Sequence, residues 1–385
     1  MSKLRKYKSA IIRKLLSPSL RFEITQTLAW IREQLNLACL WRWEIATLPQ
    51  RDDSPYNLLY VGRKAHRELA RILLGIENFT DNGHADGNRS GRRVFISEMP
   101  TPGALCVPQY LRAIVPLGRT IEEIISGYDS ELRRSLRKYR PRYRMQQALS
   151  DAEIDHADRE MLRPYATARH GSSANQKSSN EVRRCALEFG RLDLVLSGDE
   201  VVACLLGIEH IRKGKRYWMI DRYGYPEAVF SDPKRLRETN SVNNHMALEW
   251  AITNGYDYYD IGLCFGRPDD GLIQWKRRRG AVLDRTGLRG YGHFHVQLPR
   301  EGAAQFLWDT PLFAVERKKL TLHLGLPEGT SDDEFVSRYR QMGFGGLSKI
   351  YLHSTRQPDE QLLTTLCGFY KQQNPPPMVE TIISS

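Results

Sequence analysis

Between Arg191 and Ile261 the hydrophobic period changes from two to 3.6 and back again, and few architectures tolerate that order. Arg191–Leu196 and Val201–His210 alternate like strands around the turn Ser197-Gly198-Asp199-Glu200. Tyr217–Tyr225 follows as a third strand after the turn Arg212-Lys213-Gly214-Lys215-Arg216. Short polar turns between alternating runs predict hairpins. Ser241–Asn254 then reads as a helix, with Ala247, Leu248, Trp250 and Ala251 on its apolar side and Gly255 as its stop. Tyr256–Ile261 is a fourth strand. The order β-β-β-α-β predicts an α+β fold built on a mixed sheet.

The last of these strands carries Asp260 and Gly262 at its C-terminal end. A loop follows, and Trp275-Lys276 then arrives ahead of Gly280-Ala281. Ligand sites in folds of this kind gather at strand ends, so chemistry is expected here. Asp260 can orient an amine or accept its proton, or cap the next turn. Lys276 can offset negative charge, or be one cation in a solvated basic run. Gly262 suits close backbone approach.

The 385 residues leave room for two or three domains, and 41% hydrophobic content is enough for sizeable cores. A net charge of +12 favours polyanions: nucleic acid, anionic lipid or phosphate-bearing substrates. The six cysteines are scattered, with no CxxC pair and no histidines at ligand spacing, so no metal site is expected. Buried free thiols, the lack of a secretory signal and the lack of a long apolar run predict a cytoplasmic protein. The segment 3–16 reads as a short basic amphipathic helix. It could dock on the body of the protein or make a peripheral contact at the inner membrane face.

Helices are expected at Glu23–Leu37 and Arg63–Leu74, a polar loop at Asp81–Gly91, and strands at Arg93–Ile96 and Leu111–Pro116. Thr120-Ile121-Glu122-Glu123 fits a capping box. Arg133, Arg134, Arg137, Lys138, Arg140, Arg142 and Arg144 then crowd one segment that Pro141 must end or kink. Past residue 300, Ala303–Leu322 and Ser331–Met342 read as helices. Asn374-Pro375-Pro376-Pro377 is expected to end the ordered chain, with the last eight residues mobile.

Five pieces, in order, resemble the FemAB-like branch of the GNAT acyltransferase superfamily. They are the Arg-rich helix Asp129–Lys138, the segment Tyr165-Ala166-Thr167-Ala168-Arg169-His170-Gly171, and the hairpin through Gly198-Asp199-Glu200. The fourth runs from Ala247–Ala251 through Gly255 to Tyr259, Asp260 and Gly262, and the fifth is Trp275-Lys276 with Gly280-Ala281. Ile261 and Trp275 stand where the family usually has phenylalanine. The resemblance spans residues 110–285. It implies two tandem GNAT-like lobes, the N-terminal one diverged, plus a helical C-terminal tail. The corresponding segments are 1–160, 161–300 and 301–385.

It also implies transfer of an acyl or aminoacyl group from acyl-CoA or aminoacyl-tRNA to an amine of a cell-envelope, sugar or peptide acceptor. No cofactor would be tightly bound. Lys276 and Asp260 would be catalytic. Trp275, Asp221, Arg222, Tyr223, His245 and Gly262 would line the substrate cleft, with Glu209 a further candidate base. Arg134, Arg137 and Lys138 would contact donor phosphates. Where GNAT enzymes place a glycine-rich pyrophosphate loop, this chain has Pro233-Lys234-Arg235-Leu236, which leaves room for a tRNA donor. The competing reading is a non-catalytic basic protein that binds RNA or a membrane surface. A phosphoryl-transfer enzyme is disfavoured, because no glycine-rich phosphate loop is present.

Overall fold

The computed structural model describes residues 18–48, 56–76, 92–171, 176–370, 373 and 375–383. The basic segment 3–16 and the polar loop 81–91 lie outside the described residues. The chain divides into two compact units. The first comprises Met1–Ile24, Ile114–Gly262 and Arg278–Ala281, and the second Thr25–Ala113, Leu263–Arg277 and Val282–Ser385. Each unit is thus assembled from separate stretches, whereas the segments 1–160, 161–300 and 301–385 are contiguous. Among the described residues no helix is long and apolar enough to cross a membrane.

The first unit is organised by the expected strand-strand-strand-helix-strand run. Gly190–Ser197, Glu200–Arg212 and Lys215–Gly224 pair antiparallel in sequence order, and Tyr143–Gln147 flanks the first of them. The strand beginning at Tyr258 lies parallel to the third, with Tyr259 opposite Trp218 and Asp260 opposite Met219. A parallel neighbour needs a crossover, and the helix Pro233–Thr253 supplies it. That helix starts well before Ser241, where sequence periodicity placed it. Asp232 accepts the amides of Lys234 and Arg235 at 2.9 and 3.1 Å, and Pro233 sits in the first turn, where its missing N–H costs nothing.

One irregularity redirects the sheet. Leu206 pairs with Arg222 and Gly207 with Ile220, so Asp221 has no partner and forms a bulge. Before the bulge, Trp218 points at the helix and meets Trp250 at 4.5 Å between ring centroids. Strict alternation would then send Arg222 to the helix side. The extra residue sends Tyr223 and Tyr225 there instead, where they bond to Asn244 and Asn240.

The second unit contains a five-stranded sheet in the order Trp43–Thr47, Tyr56–Arg63, Arg92–Ser97, His293–Gln297, Leu105–Pro108. Its other sheet corrects the expected helical tail. Helix Ala303–Asp309 forms but stops there, and Leu312–Glu316 and Lys319–Leu326 are antiparallel strands. Arg317 and Lys318 make the hairpin turn with φ of 46° and 69°. Two consecutive left-handed residues suit such a turn, but arginine and lysine do not announce it as Asn-Gly would. Lys349–Ser354 and Met378–Ile383 complete this sheet in parallel. The residues after the proline run are therefore a paired strand through Ile383, not a mobile tail.

Two histidines sit inside that sheet. His323 Nδ1 lies 3.1 Å from His353 Nε2, and both rings are buried. Burial lowers His323 to about 3, helped by His353, and burial alone lowers His353 to about 4. The unfolded chain binds these protons near pH 6.5 and the folded chain does not. Stability is therefore present above that pH and falls as pH drops from about 6.5 toward 4, at roughly 1.4 kcal/mol per pH unit per histidine. Urea unfolding at pH 7 and pH 5 should show this loss. His353→Asn, which cannot titrate, should reduce the difference between the two pH values by a substantial fraction.

Candidate active site

The helix Pro233–Thr253 buries the wrong kind of residue for a core helix. Thr239, Ser241, Asn243, Asn244 and His245 are all buried, on a stretch where an ordinary helix would place aliphatic side chains. Buried polar groups need partners, and the sheet provides them for Asn243 and Asn244. Asn244 Nδ2 donates to the hydroxyls of Tyr223 at 2.6 Å and Tyr259 at 3.0 Å. The Tyr259 hydroxyl donates in turn to the Asn244 carbonyl at 3.2 Å. Tyr225 donates to Asn240 at 2.9 Å, and Tyr165 packs edge-on against Tyr225 at 4.7 Å.

Arg279 enters this polar layer from the segment after Lys276. It is 6% exposed, and its guanidinium reaches Ser241 Oγ at 3.4 Å. Burial lowers its affinity for a proton to a value of about 10, while the surrounding tyrosines Tyr223, Tyr128, Tyr259 and Tyr225 act in the opposite direction. Burial in turn pushes Tyr128, Tyr223 and Tyr259 above the ordinary phenol range, so each remains an O–H donor near neutral pH. The result is a buried cation ringed by neutral hydroxyls.

A second chain of contacts adjoins it. The Tyr128 ring meets the His245 ring edge-on at 6.3 Å, and His245 Nε2 lies 3.3 Å from Glu249 Oε1. Arg140 holds Glu249 at 2.8 Å. Burial would raise the Glu249 carboxyl, but His245 and Arg140 outweigh it and hold the group below its usual range. With Nε2–H donated to that carboxylate, Nδ1 carries a lone pair, and this buried atom has no partner among the described residues. A positioned imidazole nitrogen of this kind can take a proton.

Of the residues singled out from sequence, Tyr223 and His245 belong to this layer. Asp221 does not: Lys177 Nζ holds its carboxylate at 2.5 and 2.6 Å. Arg222 leans on Asp221 at 3.8 Å and reaches Gln176 at 3.5 Å. Glu209 is bound to Arg216 and Tyr256. Asp260 is fully buried on the face opposite Tyr259, as alternation requires. There it bonds Arg212 at 2.7 Å, and that guanidinium lies 4.2 Å over the Tyr217 ring. Its other oxygen accepts the Gly262 amide at 2.9 Å, and Gly262 adopts φ of 81°, a conformation open to glycine.

Trp275 and Lys276 are in the second unit, on the short helix Gly271–Arg277 and not on a loop. Lys276 is 2% exposed and donates to the Leu263 carbonyl at 2.6 Å. Arg134, Arg137 and Lys138 stand exposed on helix Ser130–Tyr139, which turns Leu136 inward.

Sequence reasoning missed Arg279, Asn244, Tyr128 and Glu249. Arg279 was legible only as one cation in a run, although its place directly before Gly280-Ala281 was a usable signal. The Asn243-Asn244-His245 triplet in an otherwise apolar helix was another.

No family model matches the chain, and no curated protein matches it. Among solved structures it is similar to FemX at 13% identity, covering 69% of this chain and 90% of that one with a TM-score of 0.37. It is also similar to the L-PGS of Bacillus licheniformis at 13% identity, covering 71% and 90% with a TM-score of 0.33. A GCN5-related N-acetyltransferase from Anabaena variabilis is similar at 8% identity, covering 71% and 62% with a TM-score of 0.29.

The Arg212–Asp260 pair is 3% and 0% exposed at its side chains. Asp260→Asn removes the carboxylate from a buried guanidinium and should cost about 3–5 kcal/mol. Urea unfolding checks this; a loss under 1 kcal/mol would show that the pair is not what holds this strand end.

Proposed function

We propose that this protein is a FemAB-like GNAT-type acyltransferase, which moves an acyl or aminoacyl group from an activated donor to an amine. The observation that supports this most is the buried Arg279 ringed by tyrosine hydroxyls above the polar face of helix Pro233–Thr253. Acyl transfer builds negative charge on a carbonyl oxygen. A cation and O–H donors already fixed in a dry layer can stabilise that charge without reorganising.

In this reading the amine nitrogen attacks the donor carbonyl carbon, forming a C–N bond. Arg279 and the Tyr223 and Tyr128 hydroxyls face the developing oxyanion. His245 Nδ1 takes the amine proton, with Glu249 holding the imidazole by its other nitrogen. The C–O or C–S bond to the donor then breaks, and the imidazolium returns the proton to the leaving oxygen or sulfur. Every proton is accounted for, and no covalent enzyme intermediate is needed. Asp260 and Lys276 are assigned to holding the strand end and the Leu263 carbonyl rather than to proton transfer.

For the donor, two features favour aminoacyl-tRNA over acyl-CoA. The first turn of helix Pro233–Thr253 spends amides on Asp232, where GNAT enzymes of the usual kind hold pyrophosphate. Arg134, Arg137 and Lys138 are exposed together on one helix, as a phosphate-backbone contact needs. The acceptor is an amine on a cell-envelope precursor, an amino sugar or a peptide.

The test presents bulk tRNA charged with radiolabelled amino acids, and radiolabelled acetyl-CoA in parallel, to a panel of amine acceptors. Transfer of label from tRNA is expected. Arg279→Gln should lower turnover by about 10² or more while thermal unfolding stays cooperative. Transfer unchanged in both Arg279→Gln and His245→Ala would end this assignment. RNA bound without any label moved would favour the non-catalytic binding reading.

Separately, replacing Arg134, Arg137 and Lys138 together by alanine should weaken tRNA binding. The slope of log affinity against log salt should fall by roughly 2–3, as expected for three lost phosphate contacts. Filter binding across a salt series measures it.

A further inference from the structure

The second unit holds a partly open cavity of about 440 Å³. This lies in the range of about 300–1,000 Å³ typical of small-molecule sites. None of its residues belongs to the Arg279 layer.

Its walls are aromatic. Trp30 comes from helix Pro18–Ala38, and Tyr110 and Tyr291 pack against each other at 4.9 Å. The helix is fixed close to the loop that carries Tyr291. A Cβ at Gly290 would fall 2.6 Å from that of Ala29, so only glycine permits this approach. The wall is therefore set by backbone packing.

The charges that line the cavity differ in kind. Glu33 and Glu98 both line it, and both are already engaged. Arg63 binds Glu33 at 2.5 Å and Glu98 at 2.5 and 2.7 Å, and Tyr60 and His66 add bonds to Glu98 at 2.9 and 3.0 Å. Those contacts outweigh burial and hold Glu98 near 2, so it is a stable carboxylate.

Arg285, half-buried, also lines it. Among the described residues its guanidinium makes no hydrogen bond and no ion pair. The charge of adjacent Asp284 acts on Arg285 without a hydrogen bond, and its carboxylate accepts from the Thr286 amide at 3.0 Å and the Thr286 hydroxyl. A cation in such surroundings ordinarily has a partner.

Beside it are two imidazoles on one strand, His293 and His295, on the same face because they are two residues apart. Burial, then Arg285 and His295, lowers His293 to about 4, and burial lowers His295. Both rings are neutral at pH 7 and can each donate one N–H without adding charge.

We propose that this cavity binds a small organic anion, a carboxylate or phosphate monoester carried on a flat apolar body. Arg285 is its anchor, and Trp30, Tyr110 and Tyr291 pack on the body. The engaged carboxylates of Glu33 and Glu98 in the same lining disfavour a second negative group. A guanidinium suits either anion by its planar fork, so the experiment separates the two sources.

The full-length protein is titrated by calorimetry in 0.15 M salt with phenyl phosphate, with indole-3-carboxylate, and with benzyl alcohol and indole as neutral counterparts. One-to-one binding of at least one anion is expected, at least tenfold tighter than its neutral counterpart. The tighter of the two anions identifies the source. Arg285→Gln should weaken the anion at least tenfold and leave the neutral compound unchanged. Leu288→Trp, which fills the cavity, should abolish binding and serves as the deciding variant if Arg285→Gln does not unfold cooperatively. The assignment is overturned if neither anion saturates at millimolar concentration, if the neutral compounds bind as tightly, or if Arg285→Gln or Leu288→Trp folds and binds the anion as the parent does.

Discussion

Taking a guanidinium out of water costs several kcal/mol unless the protein replaces the hydration it lost. Arg279 imposes that requirement on the first unit. The groups around it include tyrosine hydroxyls and a serine, with asparagines behind them that bond those hydroxyls. The same layer explains why helix Pro233–Thr253 carries Asn244 and His245 where leucine would pack better. A polar helix face in a core needs partners, and the strand tyrosines provide them for Asn244 and Asn240.

Strand alternation divides the residues around Asp260 into two sets with different work. Tyr259 faces the helix and the Arg279 layer. Asp260, its neighbour, faces the other way and is closed off by Arg212, Tyr217 and the Gly262 amide. A carboxylate with both oxygens engaged and no solvent exposure is suited to fixing a strand end. The bulge at Asp221 does the complementary job one strand away, since it alone brings Tyr223 and Tyr225 to the helix side. Without it, Arg222 would point there, and the tyrosine ring would not close.

Much of the fold was legible in the amino-acid order. The strand-strand-strand-helix-strand run, the capping box at Thr120, and the end of the basic helix before Pro141 follow from short-range rules, and the structure has all three. The errors have local causes. The hairpin at Arg317-Lys318 lacks turn residues, so the strands beyond Asp309 read as helix. The strand Met378–Ile383 has weak periodicity of its own and depends on pairing with Lys349–Ser354. Helix Pro233–Thr253 begins early because a cap, not hydrophobic periodicity, decides where it starts.

The candidate site divides along the same line. The sequence by itself determined the α+β class, the helix crossing between strands and the exposed basic helix. These are set by contacts between near neighbours, and residue types report them directly. Only the tertiary structure decided which cation is buried and which carboxylates are already spent. Arg277, Arg278 and Arg279 are chemically identical, and Asp221 and Asp260 nearly so. Their difference lies in solvation and in partners tens of residues away along the chain. A single bulged residue was enough to choose which side chains met.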